Sequence, residues 1–500
     1  MKESIRIAIF FSIILCSVPV SGQSLKEYRE QSIQRMGLYR EYSQTRIQAY
    51  KARKNAELES YIRQAWEKLP GHKPIPRQDL NEPDVPPVLI PDDESVPEPE
   101  DNPIVFEGVY DVPQEHPEPP RPIFLWEERP DPEARTVSFS SYGTRCTVRF
   151  DKTHIPKMPN SGEDAVGNMW AVLCSGQHDN LFYDCLSIKQ ERNLCDWAYV
   201  KMVEALSKEI YGPDYSWESI VLQACILLQS GFKLTLGRDG DDDLHLLLAS
   251  DCDMLNRSYW EIGNTHYFLL DNSQEQTLCL MAQLPGDFRP MNLSILSENN
   301  FAQKSSPVRR LQSQQFPDVT VEVTANRNLI DFYNEYPETF INHDTKTRWR
   351  FYAQAQLSGV AQNSLYPAFK EFIAGKSELE AANIILNFVQ TAFVYEYDDV
   401  VWGRDRAFFA DETLYYPYCD CEDRAILLSR MIRDLLGLDV VLLYYPGHLA
   451  SAVHFNGDVK GDYLMFKGRK YVVCDPTYIP APVGMTMPNM DNGTAVIIPL

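Results

Sequence analysis

The chain has 500 residues, an apolar share of 44 % and a formal net charge of −23. That length is too great for one ordinary domain, and the apolar share is enough to bury several cores. The acidity argues against nucleic acid or anionic lipid as the main partner, although residues 71–134, with 17 Asp and Glu against 4 Lys and Arg, hold much of it.

Lys2 and Arg6 precede an apolar run over residues 7–20, and small residues follow it. This is the order of a signal peptide, 1–22, cleaved before Gln23, so the chain reads as exported, to a periplasm or beyond. The run is shorter than the ~20 residues a membrane span needs. No later segment is more apolar, so no integral membrane segment is expected after signal removal. Ten cysteines then remain, and in an oxidising compartment they permit disulfides whose pairing cannot be deduced.

Residues 23–69 read as one long helix. Leu25, Met36, Ile47 and Leu58 recur every eleven residues, as do Tyr28, Tyr39, Tyr50 and Tyr61. Eleven residues close about three helical turns, so both series lie on one stripe. Docking on the chain's own globular part, self-association as a coiled coil and lying on a lipid surface are all open to such a stripe. Residues 70–134 hold about half of the 34 prolines and read as an extended, solvated linker, touching the folded parts at 104–106 or 123–126.

Two globular parts follow, 135–316 and 317–500, both α+β. In the first, helices are expected over 193–211 and 217–230, then strands over 232–236, 244–249 and 266–270. In the second, helices over 365–374, 378–392 and 421–436 are followed by strands over 440–445, 449–455, 463–466 and 470–474. Both run helix, Gly, strand, His and Asp, through Gly231, His245 and Asp271 in the first and Gly437, His448 and Asp475 in the second. The first is thus open to being a degenerate copy, with Tyr215 to Trp217 where the second has Cys421.

The chemistry sits in the last eighty residues. Cys421 opens a helix, His448 a strand, and Asp475 closes one. A helix N-terminus and a neighbouring imidazolium lower a thiol's pKa from about 8.5 to roughly 3.5–7.5. A histidine then delivers the proton to a leaving amine, and an aspartate fixes its tautomer. Cys421 is favoured over Cys419 because it shares the helix stripe of Ala425, Leu428, Ile432 and Leu435. If Asp475 faces the site, its strand neighbour Cys474 does not. Trp402 and Gln390 are candidate oxyanion donors beside the Cys421 N–H. No cofactor or metal is expected, and Asp239, Asp241 and Asp243 read as a hairpin turn rather than a calcium loop.

The motifs resemble those of the transglutaminase-like superfamily of papain-like cysteine enzymes, especially its exported bacterial members. Cys421, Asp423 and Ala425 match its Cys-x-Asp-x-Ala helix start. His448 with Val453 resembles its histidine strand, and Asp475-Pro476-Thr477 its Asp-Pro-Thr. The resemblance covers about residues 365–480. It departs where Leu449-Ala450-Ser451 follows the histidine and where the loop before Asp475 is longer. It implies a papain-like domain over 317–500 and acyl transfer from an amide of a protein or peptide through a thioester, of peptidase, deamidase or transglutaminase type. It equally admits a silent peptide- or glycan-binding protein.

Overall fold

The structure is a computed structural model. It describes residues 25–64, 66, 85–91, 96, 98–110, 118–129, 131, 133–214, 216–255, 257–270, 277–281, 284–341 and 343–500, with side chains only from residue 44 onward. The expected signal segment, the first part of the expected linker, Tyr215 and Asp271 lie outside these residues. The chain is mixed α+β and forms two compact units, residues 1–57 and 58–500. Helix α1, Leu25–Gln64, belongs to both. In the first unit the stripe residues Ile47 and Tyr50 are exposed. In the second, Leu58, Ile62 and Trp66 are buried, and Arg63 bonds Asp164 and Asn168. Gly167 is required there, because a Cβ would come within 2.7 Å of the Arg63 side chain. No helix among the described residues is long and apolar enough to cross a membrane.

Residues 135–316 and 317–500 each build an antiparallel sheet beside a buried helix, but they are not separate units. In the earlier part, helix α2 (Trp217–Gln229) leads into β1 (Leu234–Arg238), β2 (Leu244–Ser250), β3 (Tyr259–Ile262), β4 (Thr265–Leu269) and β5 (Cys279–Leu280). In the later part, helix α3 (Cys421–Leu436) leads into β6 (Asp439–Tyr445), β7 (His448–His454), β8 (Asp462–Phe466), β9 (Arg469–Cys474) and β10 (Val496–Pro499). The first sheet has the order β5-β1-β2-β4-β3 and the second β10-β6-β7-β9-β8. These are one order, strand for strand, with every shared neighbour antiparallel. The Asp-rich segment between β1 and β2 is a hairpin turn, in which Asp239 accepts the N–H groups of Asp241 and Asp243.

The described parts of the Pro-rich segment are not a free spacer. Asn102–Pro103 pairs with β8 and Gly108–Val109 with β10, so one stretch of chain caps both edges of the second sheet. Ile104, between the two pairings, is buried. Two-residue pairings containing proline suit such edges, since proline cannot bond on both sides. Val88–Leu89 lies parallel to Tyr478–Ile479, and Phe124 is buried. The Arg121 carbonyl passes so close to Gly231, at φ +94°, that a Cβ there would overlap it. Among the described residues, Cys146, Cys174, Cys185, Cys195, Cys225, Cys252, Cys419, Cys421 and Cys474 are free thiols, and Cys174 and Cys225 approach to 3.5 Å between sulfurs.

Candidate active site

Asp420 precedes the first turn of α3, and the carboxylate of Asp423 accepts its N–H at 3.3 Å and that of Phe408 at 2.8 Å. Asp423 therefore both caps the helix and holds the incoming loop, which accounts for an acid two residues after the cysteine. Gly437 stops the helix at φ +67°. Cys421 is the first helical residue and has no exposed surface.

His448 stands opposite Tyr445 in the pair that closes the β6–β7 hairpin. Its Nε2 lies 2.9 Å from Asp475 Oδ2, and both residues are buried. The other oxygen of Asp475 accepts the Thr477 N–H at 2.9 Å. Pro476 has no N–H, so Asp-Pro-Thr folds back on the carboxylate and fixes its plane. With the ring proton on Nε2 for Asp475, Nδ1 is the basic nitrogen, and it is buried without a hydrogen-bond partner. The Leu449 N–H, one residue on, favours the Cys421 anion, so the sulfur lies against the start of β7. Histidine and aspartate thus meet in one buried spot, and the cysteine lies against the start of the histidine's strand. Cys474, of opposite strand parity, instead reaches the Val472 carbonyl.

The electrostatics correct one expectation. Burial, followed by the carboxylates of Glu422 and Asp420, pushes the Cys421 thiol well above its ordinary value of 9.0. The sulfur donates to Glu422 Oε2 at 3.2 Å. Helix-terminus stabilisation of the anion is outweighed because the sulfur is fully buried, with Glu422 and the N-cap Asp420 buried beside it. Cys421 is a protonated thiol here, not the preformed thiolate expected from a helix start. Cys419, also buried, is pushed up to about 11 by burial first.

One of the two side-chain oxyanion candidates, Gln390, does not stand as expected. Gln390 Nε2 donates to the backbone carbonyls of Asp475, Tyr478 and Ala481 at 2.8–3.1 Å. Two amide hydrogens facing three carbonyls leave none for an oxyanion, so Gln390 positions the Asp475 loop. Trp402 has its ring against Phe408 and Tyr416, with the Arg406 guanidinium 4.4 Å from its centroid. Arg424 on α3, missed in the sequence, donates to the carbonyls of Gln390, Phe393 and Pro476 and ties helix to loop. The Asp-Cys-Glu-Asp run could have signalled a further feature: Asp398, Asp405 and Glu422 bring buried carboxylate oxygens within 4.8 Å of one another, a spacing that could hold a cation. Burial first, then Glu422, pushes Asp398 up to about 9, while Asp405 pairs with Arg348 at 2.5 Å. The four residues Cys419, Cys421, His448 and Cys474 do not form a metal-ligand group among the described residues.

Comparison of the chain with known protein families, with curated proteins and with solved structures finds no match. The arrangement of side chains is what bears on function.

Proposed function

We propose that the chain is an exported, cysteine-dependent acyl-transfer enzyme acting on amide bonds of proteins or peptides, with a papain-like domain over 317–500 of the transglutaminase-like kind. The observation that carries this reading is the buried His448–Asp475 pair at 2.9 Å, with an unpaired Nδ1, on a strand whose next N–H favours the Cys421 anion. A satisfied core histidine does not leave a ring nitrogen bare in a buried site.

Because the thiol is protonated, His448 acts as general base at the moment of attack. Nδ1 takes the proton as sulfur adds to the carbonyl carbon, and returns it to the amine nitrogen as the C–N bond breaks. Water then adds to the thioester carbon as its proton passes to Nδ1, and that proton returns to the Cys421 sulfur as the C–S bond breaks and the acid leaves. Asp475 holds the ring and stabilises the imidazolium, and the Cys421 N–H is the oxyanion donor. Gln390 and Arg424 act through Asp475 and the start of α3. The earlier part, 135–316, serves as support or binding surface. Self-association through the 24–69 helix remains open to the exposed Ile47 and Tyr50.

A second reading, a silent peptide- or glycan-binding protein, is favoured by the complete burial of Cys421 and its bond to Glu422. The two separate with p-nitrophenyl acetate, a small acyl donor. The enzyme reading expects one acetyl group on Cys421 by peptide mass spectrometry, lost in C421A and strongly slowed in H448A. No acetylation of Cys421, or acetylation indifferent to His448, leaves the binder.

A further inference from the structure

Asp253, His266 and His343 come from three separate segments and converge away from the cysteine site. Asp253 lies in the short strand Asp253–Met254, paired with Thr339–Phe340. His266 is on β4, and His343 is in the turn before the helix Arg348–Gln354. His266 Nδ1 is 3.0 Å from one oxygen of Asp253, and His343 Nδ1 is 3.1 Å from the other. All three donor atoms lie within 4.8 Å of one another.

The local structure holds this convergence. His343 adopts φ +57°, a left-handed conformation uncommon outside glycine. There its backbone N–H also donates to Asp253 at 3.1 Å. The turn is closed by the Asp344 N–H on the Ile341 carbonyl at 3.0 Å and by the Asp344 carboxylate on the Lys346 N–H. Tyr259 lies 4.4 Å from the His266 ring and fixes its plane. Asp253 is buried, whereas His343 is 55 % exposed, so water reaches the cluster from one side.

We infer that Asp253, His266 and His343 form a binding site for one divalent first-row transition ion of the zinc class, with water completing the coordination. Two imidazole nitrogens and one carboxylate suit such ions, whereas calcium and magnesium prefer oxygen alone and copper(I) prefers sulfur. Metal–ligand bonds of about 2.0–2.1 Å place neighbouring donor atoms about 2.9–3.4 Å apart, which the two nitrogen–oxygen distances satisfy. Loading requires that each ring present Nδ1 unprotonated, with its N–H on Nε2. The ion would fasten the turn at 341–344 to the first sheet, independently of the cysteine chemistry.

The test uses the full mature chain, stripped with EDTA and titrated with Zn2+ by calorimetry and with Co2+ by absorption. One equivalent of Zn2+ is expected, with cobalt d–d bands and no cobalt–thiolate charge-transfer band. His266→Ala and His343→Asn should each weaken Zn2+ binding by about tenfold or more. Asn tolerates the left-handed turn, so His343→Asn keeps the fold intact, verified by circular dichroism. Absence of stoichiometric binding, a thiolate band, or full affinity in the folded His343→Asn variant would each overturn the inference.

Discussion

The two sheets share one strand order, yet only one carries the cysteine, histidine and aspartate set. At the start of the later helix stands Cys421; at the start of the earlier one stands Trp217. The later hairpin closes on the pair Tyr445↔His448 and the earlier on Arg238↔Leu244, so by register Leu244 occupies the place of His448. His245 is one residue further on, and its Nε2 is 3.0 Å from Asp239 in the hairpin turn. Adjacent strand residues face opposite sides of a sheet, so a shift of one residue suffices to take an imidazole away from a site. A backbone can keep its order while a site is made or unmade by single positions.

The largest expected contrast is between the two histidines. His448→Ala should slow acetylation of Cys421 by about 10²–10⁴-fold, the usual worth of a general base, whereas His245→Ala should leave it within about twofold. Comparable losses in both variants would mean that the first sheet takes part in the chemistry. Asp475→Asn comes next, with a loss of about 10²-fold or more, since an amide cannot hold the ring in the same tautomer. An unchanged rate would reduce Asp475 to a structural cap.

Glu422→Gln sharpens the electrostatic part. Burial raises the Cys421 thiol most, but the Glu422 carboxylate adds to it, so its removal should move the thiol's alkylation profile to lower pH. A profile unmoved in iodoacetamide labelling would leave burial as the whole cause. Gln390→Ala should cost about 1–3 kcal/mol in denaturant unfolding, because three buried carbonyls of the 475–481 loop lose their donor. It should also slow acylation, through looser placement of Asp475.

The smallest effect concerns Glu412, next to the site loop. Burial pushes its carboxyl from 4.5 up to about 7 despite Arg406. The folded chain keeps this proton where the unfolded chain loses it, so the contribution is full below the unfolded value and fades as pH rises through about 7. Glu412→Gln should flatten the fall of Tm between about pH 5 and 8; an equal slope in the variant would contradict the assignment.

Much of the later part was legible because its signals are local. Asp420 and Gly437 bound α3 at the expected residues, and β6 to β9 lie within about a residue of the apolar runs that announce them. Cys421, His448 and Asp475 were legible by residue type and spacing. The charge state of Cys421 was not, because it depends on how deeply the fold buries the sulfur together with its neighbours Glu422 and Asp420. Gln390 looked like an oxyanion donor since nothing local reveals its three carbonyls. The linker's pairing with both sheet edges was hidden for the same reason: its partners are some 360 residues away. The His266–Asp253–His343 cluster joins three segments and has no motif.

The most direct measurement is the rate at which iodoacetamide labels Cys421 at pH 7, by peptide mass spectrometry, in the wild type and in His448→Ala. A general base beside a protonated thiol predicts slow labelling of the wild type and at least about tenfold slower labelling of the variant. Equal rates in the two proteins would contradict the coupling of His448 to Cys421, and with it the acyl-transfer account.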